Sequence, residues 1–141
     1  MKAENLEKNK ERLIQYLEKH PEIEVAYIFG SVAQGKITPL SDIDIAILVD
    51  NQKIDENVYR YGYKAEILSD LIKLLKTNAI DLVILNEANT LLRHRVFYSG
   101  KLLHSKNETK RIVFQTTTIG KYNDYKQLMK CHWKTGAVSD W

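Results

Sequence analysis

Cysteine occurs once in these 141 residues, at Cys131, so an internal disulfide is excluded and no second thiol exists for a zinc site. A passive free thiol is the expected status. With two prolines and six glycines there is no linker, repeat or low-complexity tract. No apolar run approaches the roughly 18 residues that argue for a membrane span. The N-terminal stretch MKAENLEKNKERLIQYLEKH has neither the continuous apolar core nor the small-residue cleavage site of a signal peptide. A cytoplasmic protein without membrane partners is therefore expected. What is present is ordinary for a globular chain: 44% hydrophobic and 28% charged residues. A chain of this length is expected to form one domain around a single core.

The net charge of +3 conceals an asymmetry. Residues 1–100 carry 13 basic and 15 acidic side chains, whereas residues 101–141 carry 8 basic and 3 acidic. Such a cationic tail suits nucleic acid or an acidic protein surface, but also an ordinary solvated helix face, and direct nucleic-acid binding is not favoured.

Leu6, Leu13, Ile14 and Leu17 recur at helical spacing and predict an amphipathic helix over residues 4–19, ended by His20-Pro21. Residues 25–29, VAYIF, read as a strand buried on both faces and bounded by Gly30. A turn follows at Gly30-Ser31, then a second strand over residues 42–49, DIDIAILV. Alternation places Asp42, Asp44, Ala46 and Leu48 on one side of it, and Ile43, Ile45, Ile47 and Val49 on the other. A long helix is expected over residues 56–76 and a third buried strand over residues 81–85, with Asp81, Val83 and Leu85 sharing a side. A short helix over residues 89–98, capped by Asn89 or Thr90, precedes a fourth short strand at residues 101–104. In the last segment, residues 108–133, the run TTTIG at 116–120 is expected to interrupt a helical pattern. The fold class is α/β, a small mixed β-sheet flanked by helices.

Two carboxylates on one strand face, Asp42 and Asp44, lie about 7 Å apart at their Cα atoms and suit a pair of divalent cations. Eleven residues before Asp42, directly after a buried strand, stands Gly30-Ser31. Glycine permits close backbone approach there, and turn N–H groups with a serine hydroxyl form a pocket for phosphates. Asp81 opens another strand of the same type. Three acids at strand ends raise one another's pKa unless cations intervene.

The stretch GSVAQGKITPLSDID, residues 30–44, has the form G-S-x10-D-x-D, and with the later strand IDLVIL it resembles the DNA polymerase β-type nucleotidyltransferase superfamily. The short length resembles its minimal branch, the MNT proteins encoded beside HEPN partners and known as antitoxins. The resemblance implies a polymerase β-like palm fold. It implies that Gly30 and Ser31 hold the nucleotide's phosphates and that Asp42, Asp44 and Asp81 ligate two Mg²⁺ ions, with Asp81 helping to deprotonate the acceptor. It further implies ATP as co-substrate and a tyrosine of a HEPN toxin as acceptor, so that AMPylation silences the toxin. An acceptor that is a small molecule, as in aminoglycoside nucleotidyltransferases, and a non-catalytic antitoxin acting by contact are the competing readings. The chain then divides into a nucleotidyltransferase core at residues 1–105 and a basic helical segment at 106–141 suited to partner binding.

Other residues carry less. His20, His94, His104 and His132 lack metal-ligand spacing. Arg93 and Arg95 on the short helix suit a triphosphate or a partner's acidic surface, and Lys36 sits near the phosphate turn, although surface solvation is the better expectation for each. Tyr59, Tyr61 and Tyr63 alternate and cannot all face one helix core. Trp133 and Trp141 suit an interface anchor.

Overall fold

The computed structural model describes residues 2–30, 42–55 and 62–134, with side chains over 9–30, 42–55 and 62–130. Ser31, Gly35, Lys36, Pro39, Tyr59, Tyr61 and Trp141 lie outside these residues, as do the side chains of Cys131, His132 and Trp133.

Strands β1 (Ile23–Phe29) and β2 (Ile43–Val49) are antiparallel neighbours, rich in β-branched and aromatic residues and buried almost throughout. Strand β3 (Ile80–Ile84) pairs in parallel with β2, and β4 (Lys101–Ser105) pairs antiparallel with the other edge of β1. The sheet order is β3-β2-β1-β4. Asn86 extends the β2 edge beyond β3, its side chain accepting from Val49 N–H at 2.9 Å and donating to the Val49 carbonyl at 2.8 Å.

Strand alternation gives each face its own core. Ile43, Ile45, Ile47 and Val49 face helices α1 (Lys2–Lys19) and α2 (Tyr63–Leu75), meeting Leu13, Leu17, Ile67 and Leu71. Ala46 and Leu48 face the opposite way and, with Val25, Tyr27, Phe29 and Leu85, meet Val96 of helix α3 (Thr90–Ser99). Phe114 of helix α4 (Glu108–Lys134) packs against this second core. Polar contacts tie the layers: Tyr16 donates to Asp70 at 2.7 Å and Tyr63 to Glu22 at 2.7 Å. The Lys106 ammonium donates to the Glu18 and His20 carbonyls, satisfying acceptors at the C-terminus of α1.

Two expectations are corrected. The helix expected from residue 56 begins at Tyr63, because Gly62 takes φ +92°, a conformation outside the helical region. Residues 116–120 do not interrupt the last helix, which runs unbroken for 27 residues. Thr118 is 2% exposed, and packing against the body outweighs the roughly 1 kcal/mol that Gly120 costs in a helix interior.

Candidate active site

The strand register gathers the acids. Asp44 is the Cα partner of Phe29 in β1 on one side and of Asp81 in β3 on the other. Neighbouring strands lie about 4.8 Å apart, so Asp44 and Asp81 stand abreast on the α3 face of the sheet. Asp42, exposed, precedes β2 on the same parity. Gly30 follows Phe29 at this end of the sheet, with φ +76°, and a Cβ there would overlap the Asp44 carboxylate. Both the backbone conformation and the close approach require glycine.

Asp44 is the half-buried member of the group. Burial, and then the like charges of Asp81 and Asp42, push its pKa above the ordinary carboxylate value, while Arg95 pulls it down. Among the described residues no ion pair neutralises Asp44 or Asp81. Nor do any three carboxylate, imidazole or thiol groups among them converge tightly enough to hold a metal on their own. Asp44 and Asp81 are thus a pair of carboxylates with no cation paired to them among the described residues.

The two arginines of α3 have different fates. Arg93 donates through Nε to the Leu85 carbonyl and through Nη2 to that of Asn86, both at 2.8 Å, with its guanidinium 4.7 Å from the centre of the Phe114 ring. It fastens α3 and α4 to the end of β3 and is held by carbonyls rather than turned to the acids. Arg95 is exposed and acts on Asp44. No spacing in the sequence distinguishes the two, since the difference depends on how α3 docks.

The described histidines have structural surroundings. His20 donates from Nδ1 to the Tyr16 carbonyl at 2.8 Å, and His94 stacks 3.6 Å from Tyr122. His104 has a buried Nε2 without a hydrogen-bond partner among the described residues, and burial, followed by the charge of Lys106, lowers its pKa. Tyr63 packs in the core, as its position in α2 favours.

The model of the polymerase beta nucleotidyltransferase family matches residues 11–109, most of the chain and every strand of the sheet. The chain belongs to this family. A relative in Shewanella oneidensis, named protein adenylyltransferase MntA, is 32% identical over 115 residues, covering 81% of this chain and 77% of that protein. A crystal structure described as a toxin-antitoxin with AMP-PNP aligns with TM-score 0.70 and 27% identity, over 92% of this chain and 99% of the other. A second structure, described as a tri-AMPylated Shewanella oneidensis HEPN toxin in complex with MNT antitoxin, aligns with TM-score 0.64 and 25% identity. That alignment covers 94% of this chain and 98% of the other. For a nucleotidyltransferase, the end of the sheet bearing Gly30, Asp42, Asp44 and Asp81 is where acids stand together on neighbouring strands, Asp44 abreast of Asp81. No helix among the described residues is long and apolar enough to cross a membrane.

Proposed function

We propose that this protein transfers AMP from ATP to a tyrosine hydroxyl of a HEPN toxin and thereby acts as its antitoxin. The observation that carries the reading is the pairing of Asp44 with Asp81 across adjacent strands in a chain of this family. The protein adenylyltransferase named above and the AMPylated toxin in a similar complex support the choice of donor and acceptor.

Asp42, Asp44 and Asp81 offer only oxygen donors, the type that hard divalent cations take, and these three residues would hold Mg²⁺ together with phosphate oxygens of the nucleotide. Two such ions, when bound, supply charge neutralisation for the triphosphate and a lowered pKa for the acceptor hydroxyl. The mutual repulsion of Asp44 with Asp81 and Asp42 supports the fit, since a cation relieves it. Gly30 admits a close approach of backbone and phosphate, with Ser31, outside the described residues, as the hydroxyl beside it. In the transfer, the acceptor oxygen bonds to the α-phosphorus as the bond to pyrophosphate breaks, and Asp81 helps take the hydroxyl proton. Its exposure leaves it open to an incoming side chain.

Residues 106–141 we assign to partner binding. Residues 123–130 of helix α4 are almost wholly exposed, and Ile112, Val113 and Leu128 are apolar side chains more than half exposed on it.

Asp81→Asn is the deciding variant. It should fold and bind ATP, yet transfer of label from ATP to a co-purified HEPN partner should fall by roughly 10²-fold or more, the scale of a lost general base. Near-normal labelling would remove Asp81 from the mechanism. Absence of labelling by the wild type with any nucleoside triphosphate would overturn the transferase reading.

A further inference from the structure

Helix α3 lies across the sheet face that carries the acids. Val96 is fully buried in that face's core, and Phe97 meets Tyr27 edge-on with ring centroids 5.4 Å apart. The end of the helix is seated over the end of β1: a Cβ built on Gly100 would lie 3.2 Å from the Ile28 carbonyl oxygen and 3.3 Å from the Phe29 Cβ. Phe29 is the register partner of Asp44, so the last turns of α3 reach the acid-bearing end of the sheet. Arg95 occupies these turns next to the buried Val96, with its own side chain exposed.

Its guanidinium has no hydrogen bond or ion pair among the described residues, in contrast to Arg93, whose guanidinium is held by two carbonyls. Arg93 and Phe97 turn to Phe114 of α4, and Arg95, about 200° further round the helix from Arg93, leaves α3 on the opposite flank. A cation on the helix that overlies the acid-bearing face, with no carboxylate paired to it among the described residues, is placed for an anion arriving from solution. The planar guanidinium fork suits phosphate oxygens, which it can meet with two parallel hydrogen bonds.

We propose that Arg95 binds the β- and γ-phosphates of ATP, the portion that leaves as pyrophosphate, from the α3 side of the site. This rests on the transferase reading for the identity of the nucleotide. It separates two duties: carboxylates at the strand ends hold the reacting end, and a cation from the overlying helix holds the leaving group. Charge so placed favours the products as pyrophosphate separates.

Calorimetry on the full chain with Mg²⁺ present, using ATP, AMP and inorganic pyrophosphate in turn, tests the assignment. Arg95→Gln should weaken ATP and pyrophosphate by about 10- to 100-fold, the scale of one lost charge-assisted contact, and leave AMP unchanged. Arg95→Lys should recover part of the loss. A merely structural arginine would instead shift all three ligands together, and that result, or unchanged ATP affinity in Arg95→Gln, overturns the proposal. A wild type that binds ATP but labels no partner would defeat the transferase reading while the Arg95 assignment stands. A wild type that binds neither ATP nor pyrophosphate would defeat both.

Discussion

Asp44 bears the electrostatic cost of the site. It stands between Phe29 and Asp81, against a glycine whose missing Cβ makes room for its carboxylate. Its pKa is raised in the folded state, so its contribution to stability is fully present below the unfolded value and is lost as pH rises through the folded one. At neutral pH, without metal, the ionised form is a burden on the fold. Asp44→Asn should therefore raise the melting temperature of the metal-free protein at pH 7, bring no gain well below pH 4, and abolish the added stability that Mg²⁺ with ATP confers on the wild type. Thermal melts at the two pH values, with and without Mg·ATP, check all three. Equal or lower stability of the variant at pH 7 would mean that the three acids do not strain one another as described.

Among the elements, the β2 edge depends on one side chain. Asn86 pairs with both backbone groups of Val49, in effect adding a rung to the sheet after β3 has ended. Asn86→Ala should cost about 1–3 kcal/mol, the sum expected for two such hydrogen bonds in a part-buried position. Denaturant unfolding measures this, and a loss within a few tenths of a kcal/mol would show that water replaces the amide. Helix α4 shows how far local pattern can mislead. Its three threonines and Gly120 are weak helix formers, yet Phe114 meets Phe97 edge-on at 5.9 Å and the Lys110 ammonium pairs with Glu24 at 2.5 Å. Tertiary contacts in the first half of the helix hold it on the body.

For the whole molecule, the consequence is a helix anchored on the body through its first half and exposed along residues 123–130. Contacts to the body run through Phe114, Thr118 and Tyr122, whereas residues 123–130 are mostly exposed. Deleting residues 127–141 removes none of these anchors. The shortened protein should keep its fold and its ATP affinity and lose the complex with its HEPN partner, as read by thermal melts, calorimetry and co-elution on size-exclusion chromatography. Co-elution at wild-type affinity would place the interface elsewhere.

Much of this was legible in the sequence because it is local. The alternation of DIDIAILV settles that Asp42 and Asp44 share a face with Ala46 and Leu48, and the same parity puts Asp81 with Val83 and Leu85. Glycine at position 30 and an Asn89 cap likewise follow from backbone rules that act over a few residues. Tertiary structure alone decided that β3 lies beside β2, which sets Asp81 abreast of Asp44, and that one α3 arginine is held by carbonyls while the other is exposed. It also decided that α4 continues through its weak stretch. Side-chain periodicity is written residue by residue, but strand order and helix docking are chosen by contacts between segments far apart in the chain, where burial of whole faces outweighs local preference.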